Sequence, residues 1–392
     1  MIIAKKIRII PTKEQEILFW KSIGVARWAY NYYLAEREKA YKTWIDNGKI
    51  GKFIFSELKL RKHINNELKP TTHKWLSEVS AEVMKQATKD ADKAYDKFFK
   101  GLSNKPKFKS KHYSKPSFYV RYDSVKRLNY GFKGERLGVV RTTENLPRLK
   151  KGQKYSEPRI IYDGQYWYLS IGYEKELTKQ KLTNESIGID LGIKDLAVCS
   201  NGKTYKNINK TKKVKRLKKK LKREQRKLSR KRNFKKIEPE NPKSKYKVDL
   251  KECKNLQKQS KVVQKLYKKL TNTRDNHIHQ ATAEIVKTKP SRVVMEDLNV
   301  SGLMKNKHLA KSIVDQKLHE FRRQIQYKCE LNGIEFVLAD KFYPSSKTCS
   351  RCGNIKKDLK LKDRIYKCEK CGLEIDRDFN ASVNLANYGL TT

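Results

Sequence analysis

The sequence predicts a multidomain α/β protein, on three observations. Short alternating stretches that read as strands bracket a long region of helical periodicity, and strand and helix signals then alternate through the second half. The 392 residues are long enough for two or three domains that each bury an apolar core. Two tight cysteine pairs near the C-terminus mark a small separate module.

Taken in order, Ile2 to Ile10 alternate as a strand that breaks at Pro11. Thr12 with Gln15 reads as a capping box opening a long helix that carries Ile17, Leu18, Trp20, Val25, Trp28 and Tyr32 among charges. Helical patterning continues to about Phe99, so residues 12–114 are expected to form an α-helical lobe with these aromatics as core. From Pro106 the segment KPKFKSKHYSKPSFYVRY interleaves Lys and Arg with Phe108, Tyr113, Phe118, Tyr119 and Tyr122. That suits a strand-built RNA surface, or equally strands with one core face and one solvated face. RIIYDGQYWYLSIGYE reads as a hairpin turning at Asp163 and Gly164. Residues 1–11 and 115–180 are therefore expected to form one β-rich domain interrupted by the helical lobe.

SIGIDLGIKDLAVCSNGKTY supplies two strands and the start of a third, with Asn201-Gly202 as the turn. Between Lys210 and Lys236 stand 17 Lys or Arg residues and a single acid, Glu224, yet Val214, Leu217, Leu221 and Leu228 keep an apolar stripe. A second helical stretch, Lys254 to Val286, follows the Pro-containing turn ENPKSK, so a basic helical hairpin spans about 209–288. SRVVMEDLNV is a short apolar strand ending in acids. A helix from about Val314 to Leu331 stops at Asn332-Gly333, and IEFVLAD reads as another buried strand. Strand hairpins, a helical excursion, a strand, a helix and a strand resemble an RNase H-like α/β layer with insertions.

Lys plus Arg number 92 against 42 Asp plus Glu, a formal net charge of +50. A compact chain so charged repels itself unless a polyanion neutralises it, and nucleic acid is the usual one. A ribosomal or chromatin-like protein, or one that binds acidic membrane, is the plainer alternative. No apolar run approaches the roughly 18–20 residues of a membrane span. MIIAKKIRII lacks a signal-peptide core, so a cytoplasmic protein is expected.

Three segments offer carboxylates for cation-assisted phosphodiester chemistry, in which two Mg²⁺ ions activate water and neutralise the leaving oxygen. Asp190 interrupts an apolar strand between Gly188 and Gly192, where an unpaired acid is costly. Glu296 and Asp297 end the VVM strand, and Asp376 and Asp378 open a small amphipathic helix. Within each of the last two pairs the chemistry alone does not choose. Cys349-x-x-Cys352 and Cys368-x-x-Cys371, each followed by glycine, have the spacing of a zinc ribbon. A closed set of four thiolates makes one Zn²⁺ structural, with iron the minor alternative. Lys356, Lys357, Lys360, Lys362, Arg364 and Lys367 decorate this module. Cys199, Cys253 and Cys329 read as small buried hydrophobes.

GIDLGIKDLAV, VVMEDLNVSGL and the doubled CxxC followed by DRDFNAS resemble the three RuvC nuclease motifs of the TnpB family, transposon-associated relatives of type V CRISPR effectors. RIIPTKEQ and KPKFKSK are similar to that family as well, so the resemblance spans nearly the whole chain. It implies a RuvC nuclease domain at 185–340 and 373–392, a zinc ribbon at 341–372, a β-rich wedge at 1–11 and 115–180, and a helical recognition lobe at 12–114. It further implies Asp190, Glu296 and Asp378 as catalytic, Mg²⁺-holding carboxylates (Mn²⁺ being an alternative), with Asp376 a neighbour of the third. The loop 301–311, with Lys305, Lys307 and His308, resembles the family's active-site lid. The implied activity is an RNA-guided DNA endonuclease with guide RNA and target double-stranded DNA bearing a short flanking motif as partners. A DNA-joining transposase and a non-enzymatic zinc-ribbon DNA-binding regulator are the competing expectations.

Overall fold

A computed structural model describes residues 1–111, 114–177, 180–233, 235–237, 245–247, 253–360 and 363–390. Tyr113, Lys362 and most of the ENPKSK turn lie outside them. The chain divides into two compact units, Met1–Lys175 and Glu176–Thr392.

In the first unit, β1 (Ile2–Ile10) leads into α1 (Lys13–Asp46), α2 (Glu57–His63) and α3 (Ala81–Phe99). The strands β2 (Ser117–Tyr119), β3 (Lys126–Leu128), β4 (Gly131–Gly134), β5 (Gly138–Thr142), β6 (Ser156–Tyr162) and β7 (Trp167–Glu174) follow. They make one antiparallel sheet in the order β2-β6-β7-β1-β5-β4-β3. The N-terminal strand is central: Ile2 pairs with Glu174 and Ile9 with both Trp167 and Thr142. Ile7 and Ile9 point into the core by the two-residue alternation of a strand. The capping box forms at Thr12, whose side chain accepts from Gln15 N–H while the Gln15 side chain accepts from Thr12 N–H. Phe19 then lies against Phe118 and Trp167, ring centroids 5.7 and 5.1 Å away. Val83, Met84, Ala87, Ala91 and Tyr95 give α3 a buried stripe on the same core. Helical and β-rich segments thus share one continuous core. Asp163 Oδ1 accepts from the N–H groups of Gln165 and Tyr166, and Gly164 takes φ +92°, closing the expected hairpin.

In the second unit, β8 (Ser186–Leu191), β9 (Asp195–Cys199) and β10 (Thr204–Lys206) form a meander. An excursion follows: α4 (Lys212–Arg232), the backbone hairpin β11 (Lys235–Ile237) and β12 (Lys245–Lys247), and α5 (Lys254–Lys287). The chain returns through β13 (Arg292–Glu296), α6 (Val300–Leu303), α7 (Ala310–Gln316), α8 (Leu318–Asn332) and β14 (Glu335–Ala339). A small hairpin, β15 (Ile365–Lys367) with β16 (Glu374–Asp376), precedes α9 (Arg377–Ala386). The five-stranded sheet runs β10-β9-β8-β13-β14, with β8, β13 and β14 parallel and β9 and β10 antiparallel to their neighbours.

Helices cover both faces of this sheet, which is why β13 is apolar without alternation. Val293 and Met295 pack with Ile285, Phe321 and Ile325 of α5 and α8, whereas Val294 packs with Leu385 of α9. The apolar stripe of α4 behaves as expected: Val214 and Leu221 bury against Val263, Leu266 and Leu270 of α5. Glu224, the run's single acid, is buried and accepts from Gln259 Nε2 at 2.9 Å and from Lys227. Those bonds, the Gln259 one foremost, pull its carboxyl down to about 2.

Two elements differ from expectation. The helix expected from Val314 to Leu331 begins at Ala310 and breaks at Lys317, whose φ of +55° starts α8 afresh. The break leaves Gln316, 3% exposed, donating to Gly192 O at 3.2 Å. IEFVLAD is an edge strand, with Glu335 and Leu338 exposed, because β13 alone pairs with it among the described residues. Cys199 and Cys329 are buried in the core as expected, but Cys253 is half-exposed before α5. No helix among the described residues is long and apolar enough to cross a membrane.

Candidate active site

The positions of the acids follow from the sheet. Within β8, Ile187 and Ile189 enter the α5/α8 core, so Gly188 and Asp190 face α9. A Cβ on Gly188 would sit 1.9 Å from the Ser382 carbonyl oxygen and 2.3 Å from the Ala386 nitrogen. Only glycine lets α9 lie this close. Within β13, Val294 faces α9, and Glu296, two residues on, shares that face. The parallel register aligns Met295 with Ile189, so one step further Glu296 falls beside Asp190. Asp378 sits in the first turn of α9, against these strand ends.

All three acids line one cleft of ≈ 670 Å³. Burial raises the Asp190 carboxyl from 3.8 to about 8, and the charges of Glu296 and Asp378 push the same way, opposed by Arg377. Asp378 meets Arg377 at 2.9 Å and Arg364 at 3.9 Å. Two pairs left open by sequence chemistry differ in geometry. Asp297 does not line the cleft but meets Arg322 Nη1 at 2.5 Å. Asp376 is the N-cap of α9, accepting from the N–H groups of Asp378 and Phe379 at 3.0 Å. Of the segment 301–311, Leu309 reaches the cleft, while exposed Lys305, Lys307 and His308 do not line it.

Sequence reasoning missed several groups around the acids. Ser345 donates from its hydroxyl to Glu296 Oε1. Lys194, Lys210 and Lys347 join Arg364 and Arg377 in lining the cleft. Adjacency to Asp378 could have flagged Arg377, and the GIDLGIKDL run Lys194. Lys210 and Arg364 stand in basic segments legible from sequence, whereas Ser345 and Lys347 arrive through folding and leave no local signal.

The sulfur atoms of Cys349, Cys352, Cys368 and Cys371 all lie within 4.8 Å of one another. Cys349–Cys371 and Cys352–Cys368 approach to 3.5 and 3.6 Å, near the roughly 3.8 Å edge of a tetrahedron with 2.3 Å metal–sulfur bonds. The two pairs adopt matching turns. Gly353 N–H donates to Cys349 O and Gly372 N–H to Cys368 O, each at 3.0 Å, with φ of +72° and +70° at the glycines. Backbone N–H groups, that of Cys371 foremost, lower the Cys368 thiol from its ordinary value.

The second unit is thus a mixed α/β structure combining a carboxylate-lined cleft with a four-thiol cluster. Three family models match: "Probable transposase" of the OrfB/IS605 type over residues 169–307, "Cas12f1-like, TNB domain" over 319–385, and an OrfB/IS605 "Helix-turn-helix domain" over 1–45. In this chain residues 1–45 form β1 and the unbroken α1. A "Putative RNA-guided DNA endonuclease" of Streptomyces pristinaespiralis is 30% identical, over 99% of this chain and 89% of its own length. The similarly described InsQ of Escherichia coli K12 is 26% identical over 98% and 92%. In fold, the chain resembles Cas12f1 in a complex with guide RNA and target DNA, with TM-score 0.57, 15% identity and 99% of both chains covered. The chain belongs to the TnpB family.

Proposed function

We infer that the chain is an RNA-guided DNA endonuclease: a bound guide RNA pairs with one strand of double-stranded target DNA, protein groups read a short flanking motif, and one carboxylate site hydrolyses the DNA backbone. Family membership and the descriptions of relatives matched over nearly their whole length support the activity and both partners. The strand order and two-sided helix packing support an RNase H-like (RuvC) domain at 185–340 and 373–392, with a zinc ribbon at 341–372. Residues 1–11 and 115–180 would act as wedge and 12–114 as recognition lobe.

The observation that carries the site is Asp190 facing Glu296 and Asp378, its carboxyl raised by burial and by their charge. Three hard oxygen donors that line one cleft and raise the Asp190 carboxyl by their charge are a donor set whose chemistry suits Mg²⁺ or Mn²⁺. When bound, a pair of such ions supplies an activated water and neutralises charge at the scissile phosphate. Asp190 and Glu296 hold their oxygens from rigid strand ends, and Asp378 from a capped helix start. Lys194, Lys210 and Lys347 line the cleft as cations for the phosphate backbone. The thiol quartet would hold one Zn²⁺, with no position open to substrate, in a structural role.

Sequencing RNA that co-purifies from cells carrying the native locus, then offering a library of matching targets, tests the reading. A discrete RNA and cutting beside a shared short motif are expected, and Asp190→Ala abolishes cutting while leaving RNA binding intact. Absence of bound RNA, or cutting retained by that variant, overturns it.

A further inference from the structure

We propose that Ser345 is a positioning residue for Glu296 and that, through it, the four-cysteine module sets the geometry of the carboxylate cluster. This rests on reading Glu296 as a cation-holding group. Ser345 lies between β14 and the first cysteine turn and is 2% exposed. Its hydroxyl donates to Glu296 Oε1, engaging one of the two carboxylate oxygens. A bond of this kind fixes a ligand carboxylate's orientation before any cation arrives. The neighbouring Asp297 gives no such hold, being drawn to Arg322.

What fixes Ser345 is the helix that carries Asp378. Asn384 Nδ2 donates to both Ser345 O and Thr348 O at 2.7 Å. One turn earlier, Asn380 Nδ2 donates to Thr348 O at 2.7 Å and its Oδ1 accepts from Ser350 N–H at 3.0 Å. Cys349 stands between those last two bonded residues. Asn380 and Asn384 are 0% and 5% exposed, positions where a packing helix would ordinarily place Ala or Leu. A buried amide is costly without partners, and both spend theirs on the main chain of 345–350. The segment is thus held at Ser345, Thr348 and Ser350 by α9 while its hydroxyl holds Glu296 and its thiol belongs to the cysteine cluster. Loss of the folded cysteine turn would displace the Thr348 and Ser350 anchors on either side of Cys349 and leave Asn384 alone to hold Ser345, loosening its grip on Glu296.

Mn²⁺ binding to the full-length, zinc-loaded chain, followed by electron paramagnetic resonance, reads this without any cleavage step. Ser345→Ala should weaken Mn²⁺ binding about tenfold, with zinc content and melting temperature unchanged. Ser345→Thr, which keeps the hydroxyl, should retain the affinity. Cys352→Ser should weaken Mn²⁺ binding as Ser345→Ala does, and the double variant should add little. Asp190→Ala and Glu296→Gln separate the two readings. If neither changes Mn²⁺ binding, the carboxylate site itself is wrong. If both abolish it while Ser345→Ala binds normally, or Ser345→Thr fares no better than Ser345→Ala, the positioning role is overturned. Normal Mn²⁺ binding by zinc-deficient Cys352→Ser overturns the coupling. Should Ser345→Ala lose zinc or unfold, Ser345→Cys, of similar size with a weaker donor, takes its place, and an affinity equal to wild type overturns the role.

Discussion

Asp190 is a group whose folded state prefers the neutral form, so its effect on stability has a definite sign. Its carboxyl titrates near 8 in the folded chain against 3.8 ordinarily, so folding favours proton uptake. The stability it contributes is complete below about pH 4 and is lost as pH rises through 8. Asp190→Asn removes that loss. In zinc-loaded protein without added Mg²⁺, the variant should therefore melt higher than wild type at pH 8, by about 2–4 °C for each kcal/mol relieved, and the gap should close toward pH 4. Added Mg²⁺ should raise the wild type more than the variant. Calorimetry across that pH range decides it, and a gap independent of pH would remove the electrostatic account. Asp190 was legible because it interrupts an apolar strand, and Glu296 with Asp297 because they end one, though the residues alone did not choose between those two. Local sequence could not separate Asp376 from Asp378, because one caps the helix that the other rides on, and they differ only in which way they turn. Ser345 gave no sign at all, since its bond to Glu296 spans 49 residues.

Gly188 decides how close α9 lies to β8, and with it where Asp378 stands. Gly188→Ala would force its methyl into the Ser382 carbonyl, so the helix must move. A cost of about 1–3 kcal/mol in urea unfolding is expected, together with loss of cutting. Wild-type stability and activity in that variant would show that α9 is not held as described. The α4–α5 pair invites the opposite experiment, because its outer face is charged while its inner face packs. Replacing exposed Lys219, Lys222, Arg226 and Arg230 by Gln should leave the melting temperature unchanged and weaken nucleic-acid binding. The slope of log affinity against log salt should fall by about 0.7–0.9 for each phosphate contact removed. An unaltered slope would make this face merely solvated. Elements with clear periodicity, such as α4 and α5, could be read from sequence because apolar stripe and charge alternate plainly, and the start of α1 from its Thr12–Gln15 capping box. The break at Lys317 could not, since nothing in the local pattern marks a lysine for positive φ and the Gln316–Gly192 bond beside it spans 124 residues. The exposure of β14 was equally hidden: an apolar run says strand but not how many neighbours it has.

Across the whole chain, the net charge of +50 sets a condition on stability. Ion pairs such as Arg159 with Asp90, Arg274 with Asp315 and Lys317 with Asp275 use cations locally. With 42 acids for 92 basic groups, such pairs cannot balance the molecule. The surplus repels itself over distances that salt screens, about 10 Å at 0.1 M. Two consequences separate self-repulsion from ordinary packing. Raising salt from 0.05 to 0.5 M should raise the melting temperature of the nucleic-acid-free protein, as screening relieves the repulsion. A polyanion that binds the folded state, heparin or RNA, should raise it further at low salt, and that gain should vanish at high salt as binding weakens. Asp190→Asn should respond to heparin as the wild type does, because the carboxylate cluster is a local feature of opposite sign. Melting temperatures flat in salt and indifferent to heparin would mean that self-repulsion does not limit the stability of the fold, and that the basic surface is not held open for a nucleic acid.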